Sequence, residues 1–116
     1  MVNFQKEHYS YEDMLAIMRI LRAPGGCPWD AEQTHESIRR NFLEETCEAV
    51  EAIDNHDMPA LREELGDVLM QVIFHAQMES EVGGFAMQDV IDGLCRKLVY
   101  RHPHVFSDVK VKDSDE

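Results

Sequence analysis

Four carboxylates are the residues best placed to do chemistry. Glu45 and Glu48 lie in the run Glu44-Glu45-Thr46-Cys47-Glu48, and Glu64 and Asp67 in the run Glu64-Leu65-Gly66-Asp67. Each pair is spaced i,i+3, which stacks two side chains one turn apart on a helix. Acids on a helix ordinarily face water, so the neighbours decide. On a wheel of about 100° per residue, with Glu45 at about 0°, Ile38, Phe42, Ala49 and Ile53 fall within about 80° on one side. Ala52 lies about 20° to the other side, so Glu45 sits inside an apolar stripe, flanked by Glu48 at about 60°. Glu44 and Glu51 turn out to about 100° and 120°, where solvent suits them. Around Glu64 the pattern repeats. Leu61, Val68 and Val72 lie within about 80° on one side, Asp67 about 60° to the other, and Glu63 turns outward.

Four ionised carboxylates facing one core must be protonated, paired with cations or bound to metal, because burial and mutual repulsion oppose leaving them bare. Without metal, raised carboxyl pKa values and a weakened fold are expected. An all-oxygen ligand set favours a hard ion, Mg2+, Mn2+ or Ca2+, over zinc. No segment resembles the Asp-rich loop of an EF-hand. A di-iron bundle calls for two Glu-x-x-His motifs, and only Glu32-Gln33-Thr34-His35 fits.

The elements that must position these acids are helices. Ser10 and Asp13 form a capping-box pattern, and Met14, Ile17, Met18 and Leu21 then share one face until Ala23-Pro24-Gly25-Gly26 stops the helix. Asp30, with Gln33 three residues on, predicts the cap of a short helical turn. A second long helix is expected over roughly Ser37 to Asp54. A third starts at Asp57, with Pro59 just inside, and runs to about Glu81, before Gly83-Gly84. A fourth runs from about Met87 to Pro103, with Val90, Ile91, Leu94 and Leu98 as its core stripe. No alternating strand pattern stands out. The expected fold is all-α, an antiparallel four-helix bundle over residues 10–106, with an N-terminal extension at 1–9 and an acidic, disordered tail at 107–116.

Bulk properties bound the partners. The chain has 116 residues, 44% of them hydrophobic, which is one domain with a modest core. Asp and Glu total 23 against 11 Lys and Arg, a net charge of −12, which repels nucleic acid and anionic membranes alike. No apolar run is long enough to span a bilayer and the first residues carry no secretory pattern, so a soluble cytoplasmic protein is expected. Cys27, Cys47 and Cys95 lack a CxxC pair and read as reduced thiols.

The segments Glu44 to Glu48 and Glu64 to Asp67 have the form EExxE…ExxD, which resembles the MazG-type all-α nucleoside triphosphate pyrophosphohydrolases. Three further matches sharpen the resemblance: Gly26-Cys27-Pro28-Trp29-Asp30, the run ELGDVLMQVIFH from Glu64 to His75, and Arg101-His102-Pro103-His104-Val105-Phe106. Together they cover roughly residues 12 to 108. The resemblance implies Mg2+-dependent hydrolysis of a nucleoside triphosphate to monophosphate and pyrophosphate, house-cleaning of nucleotide pools, Mn2+ as a possible substitute, and a homodimer or higher homo-oligomer. It carries the metal-ligand role to Glu45, Glu48, Glu64 and Asp67. An acidic site binds an anionic triphosphate only through metal ions, so the two readings agree.

Substrate contacts follow. Lys97 and Arg101, four apart at the edge of the fourth helix's stripe, match the family's phosphate-binding pair, although snorkelling cations at a helix C-terminus give the same pattern. Asn41, one turn before Glu45, is a polar contact to nucleotide. Trp29 is placed to stack on a base or close the pocket, although a Trp in such a loop more often anchors it on the core. His75 reads as a hydrogen-bonded core residue, His102 and His104 as residues that shape the turn after the fourth helix, and Met14, Met18, Met70 and Met78 as core or interface filler. Leu69, Met70, Ile73 and Phe74 circle the third helix, more than one small bundle can bury, which points to a homodimer through the second and third helices. Family members commonly carry two such domains and continue past the RHPHVF segment with a basic, Trp-containing stretch. The competing expectation is therefore a metal-stabilised dimerisation module with little or no catalysis.

Overall fold

A computed structural model describes residues 4–107, and every regular element among them is helical. The order is α1 (Tyr11–Arg22), α2 (Pro28–Glu32), α3 (His35–Asp54), α4 (Met58–Glu81), α5 (Met87–Arg101) and α6 (Pro103–Phe106). No helix of the described residues is long and apolar enough to cross a membrane. The expected acidic tail lies, beyond Ser107, outside the described residues, as do positions 1–3.

Local chemistry explains the boundaries. Ser10 Oγ accepts from the Asp13 N–H at 3.0 Å while Asp13 Oδ2 accepts from the Ser10 N–H, so α1 starts on a complete capping box. Asp30 is not the cap of α2. Pro28 opens the first turn, where its fixed φ and missing N–H suit a helix start, and Asp30 is the third residue of the helix. α3 begins two residues before the expected Ser37, because Thr34 and Ser37 cap each other reciprocally at 3.1 and 2.8 Å. α4 opens with Asp57 Oδ1 accepting from the Ala60 N–H. The short α6 was not expected. Pro103 restarts the helix that it ends, while His102 Nδ1 donates to the Leu98 carbonyl at 2.6 Å and so shapes the turn as anticipated.

α3 and α4 fold back on each other through Asn55 to Asp57, where His56 takes a left-handed φ of 55°. The core, Met18, Ile38, Ile73, Phe74 and Met78 with Met14, Leu15 and Met87 packed on it, lies at the end of this hairpin remote from the turn. There α1 crosses α4 and α5 begins. α5 departs from the expected closed bundle: among the described elements it touches only α4 and α6, and none of its residues is buried. Leu94 and Leu98 of its anticipated core stripe are about half exposed. The short connection after α4 fixes where α5 starts, and Met87 docks that start. Beyond it the stripe meets no partner surface in the same chain. The radius of gyration, 17.8 Å, exceeds the about 13 Å expected of a compact chain of this length, as an open arrangement requires.

Arg22 ties the loop before α3 to this core. Its guanidinium donates to Glu81 at 2.8 and 3.0 Å, to the Asp30 carbonyl at 2.7 Å and to the Gln33 carbonyl at 3.1 Å, and lies over the Phe74 ring. Gly26 serves the same turn, since a side chain there would collide with the Ile20 and Leu21 carbonyl oxygens. Arg22→Ala removes every one of those charge-assisted bonds, and an expected loss of about 2–3 kcal/mol is measurable by denaturant unfolding.

Candidate metal centre

The hairpin brings the two acid pairs together by simple register. Glu48 and Glu64 lie equally far in sequence from His56, on opposite sides of the turn, and so do Glu45 and Asp67. Because both helices rise about 1.5 Å per residue, each pair faces across the groove at one level. One carboxylate oxygen from each of Glu45, Glu48 and Glu64 lies within 4.8 Å of the others. Asp67 is the fourth acid, close enough to act electrostatically on both Glu45 and Glu64.

The wheel separated three of the four inner acids from the outer ones by burial, and Glu48 is set apart only by its place in the carboxylate group. Glu45, Glu64 and Asp67 are half-buried and Glu48 lies at the exposed margin, whereas Glu44, Glu51 and Glu63 face solvent. Glu44 is paired with Arg40, one turn away. Ile53, expected in the apolar stripe, is exposed close to the turn.

The electrostatics show what the groove lacks. Burial, then the hydrogen bond and charge of Glu48, then the charges of Asp67 and Glu45 push the Glu64 carboxyl up to about 7. Burial also raises Glu45, with Glu48 and Asp67 adding to it. Glu45 Oε2 and Glu64 Oε2 are buried and have no hydrogen-bond partner among the described residues. Buried acceptor oxygens without donors, several within a few ångströms, fit a hard divalent cation: it would satisfy the orphaned oxygens and remove the repulsion together.

The other anticipated residues are dispersed. Asn41 is exposed on α3, one turn before Glu45. Trp29 does not anchor the loop on the core; it is 59% exposed, and Gln33 and Arg22 hold its helix through backbone carbonyls instead. Lys97 and Arg101 are exposed on α5, which has no contact with α3 in the chain. Arg101 lines a separate cavity of about 590 Å³ with Val99, Tyr100, Pro103 and Phe106.

The sequence reading missed one constellation. His35, on the first turn of α3, stacks flat on His75 with ring centroids 4.9 Å apart and Nδ1 atoms 2.7 Å apart, and its Nε2 meets Glu79 at 2.7 Å. Burial, then the neighbouring His35, lowers the His75 pKa. The i,i+4 spacing of His75 and Glu79 on one face of α4 was the available signal.

Among the described residues the fold is all-helical, and its central hairpin gathers carboxylates that could hold a hard divalent cation. The chain belongs to the MazG nucleotide pyrophosphohydrolase domain family, whose family model matches residues 33–106. It is 52% identical over 98 residues to a Thermotoga maritima protein named nucleoside triphosphate pyrophosphohydrolase/pyrophosphatase MazG, covering 84% of this chain and 38% of that protein. It is 49% identical over 104 residues to the nucleoside triphosphate pyrophosphohydrolase of Escherichia coli K12, covering 89% and 40%. An uncharacterized Bacillus subtilis protein, YabN, is 49% identical over 109 residues, covering 94% and 22%. The chain thus spans between about a fifth and two fifths of the length of these relatives.

Proposed function

We propose that this chain hydrolyses nucleoside triphosphates to nucleoside monophosphate and pyrophosphate with Mg2+ held by Glu45, Glu48, Glu64 and Asp67, a house-cleaning activity on nucleotide pools. The observation that carries the reading is the groove itself: three carboxylate oxygens within 4.8 Å, two of these acids with unpartnered buried oxygens, in a chain of the MazG domain family. Mg2+ bound there would screen the triphosphate and polarise the phosphorus under attack, and Mn2+ would substitute. The residues of the chain do the rest. The carboxylates fix the site on two rigid helices and exclude any anion that arrives without metal. Asn41 offers its amide to the nucleotide from the next turn of α3. Lys97 and Arg101 supply the fixed cations for phosphate oxygens, with Arg able to grip two at once. Trp29, exposed beside the helix start, is free to close over the base.

A second copy of the chain completes the assembly. Leu43 and Val50 on α3, Leu65, Leu69 and Met70 on α4, and Leu94 and Leu98 on α5 leave apolar faces uncovered in the single chain, and a homodimer would close them into a bundle.

The test is direct: supply Mg2+ with a panel of ribo- and deoxyribonucleoside triphosphates and measure pyrophosphate. Release from at least one is expected, and the panel ranks base and sugar. No product from any of them, with the fold intact by circular dichroism, overturns the hydrolase reading in favour of a metal-stabilised dimerisation module.

A further inference from the structure

The polar group whose burial is hardest to explain is Gln71. Its side chain is 4% exposed, and its Oε1 has no hydrogen-bond partner among the described residues. A buried amide oxygen without a donor is unfavourable, and an apolar residue of similar volume would avoid the penalty. Packing therefore gives no reason for a glutamine here.

Its position does. Gln71 falls one turn after Asp67 and two turns after Glu64, about 20° round the helix from the latter, on the stripe of α4 that faces the groove. Long side chains on a helix lean toward its N-terminus and cover the preceding turn. Gln71 is thereby carried toward Asp67 and away from His75. On α3, the residue equally far from the hairpin turn is Asn41, one turn from Glu45. Helix register thus sets Gln71 one turn beyond Asp67, on the groove side of α4 and away from the turn.

We infer that Gln71 is a binding residue of the loaded site, its Oε1 accepting a hydrogen bond from an O–H group that enters the groove with the metal or with the nucleotide. A carbonyl oxygen suits this task. It accepts a hydrogen without adding charge to a groove where four acids already repel one another. The inference rests on the metal-centre reading above, and its O–H donor is either water that arrives with the cation or a hydroxyl of the nucleotide.

Gln71→Leu and Gln71→Met remove the acceptor while nearly keeping the volume, and three measurements on each separate the outcomes. Thermal unfolding without metal should show stability equal to or above the parent's, because an unsatisfied oxygen has gone. Titration with Mn2+ alone should show affinity weakened by about 10- to 100-fold if the donor is water that comes with the cation. If Mn2+ affinity is unchanged, the KM for nucleoside triphosphate should rise by about tenfold or more with kcat less affected, which assigns the donor to the nucleotide. Parent-like values for both Mn2+ affinity and KM overturn the inference. So does a loss of metal-free stability in both variants with parent-like binding, since that marks a structural partner, such as water shared with the unpartnered His75 Nε2 one turn on. A parent that binds Mn2+ but releases no pyrophosphate removes the hydrolase reading and leaves the Mn2+ comparison intact. A parent that binds neither metal nor nucleotide removes both.

Discussion

Glu64→Gln is expected to make the metal-free protein more stable at pH 8 while abolishing its function. The two effects share one cause. At pH 8 the parent carries Glu64 ionised at a cost relative to the unfolded chain, because burial and the neighbouring Glu48, Asp67 and Glu45 raise its pKa to about 7. Gln has nearly the same shape and no charge, so it relieves burial and repulsion together. The same change deletes a ligand. Loss of even an outer-shell partner commonly weakens metal binding or activity by about 10- to 100-fold, so removing a direct ligand should lower pyrophosphate release by about 100-fold or more. Thermal unfolding at pH 8 with and without Mg2+ reads the pair of effects: the variant should melt above the parent without metal and gain little from adding it. A variant that melts below the parent without metal would show the carboxylate to be a structural partner. Turnover near the parent's level would remove Glu64 from the ligand set.

How far the sequence revealed this site depends on which physical term controlled each residue. Glu45 and Glu64 were legible because helix periodicity is rigid: an acid placed in an apolar stripe at 3.6 residues per turn is drawn partly out of solvent. The cross-helix match was legible too, in the equal spacing of both acid pairs from His56. Helix starts were less so. Several residues near 28–37 can cap, and Pro28 and the Thr34–Ser37 pair won over Asp30 through backbone geometry. The α5 stripe misled, because an amphipathic pattern states that a face wants covering and not what covers it. The exposure of Trp29 was not legible for a related reason. Arg22 anchors its loop, a role that no periodicity announces. Gln71 reads as one polar residue in an apolar run, and only its burial with an unpartnered Oε1 gives it meaning.

The last expectation concerns pH, where the metal-free and metal-loaded proteins should respond with opposite slopes. Glu64 and Glu45 bind protons more tightly in the folded state than in the unfolded chain. Between the ordinary carboxylate value of 4.5 and about 7 the folded protein therefore carries more protons, and its stability must fall as pH rises through that window. Mg2+ requires the deprotonated ligands, so its contribution grows over the same window and should be greatest at about pH 7 and above. Two other groups act with the opposite sign. His75, whose pKa is lowered by burial and by His35, adds stability as pH rises toward the ordinary imidazole value of 6.5. Glu81, held low by its hydrogen bonds with Arg22, loses its contribution only on acidification below the ordinary carboxylate value of 4.5. Comparing the parent with Glu64→Gln isolates the carboxylate slope, since His75 and Glu81 are common to both. Melting temperatures from pH 5 to 8 should converge at the acid end and separate toward pH 8, with the parent lower. Adding Mg2+ should raise the parent most at pH 8 and hardly at pH 5. A parent whose metal-free stability rises as steeply as the variant's across this range would mean that the four carboxylates do not share one groove.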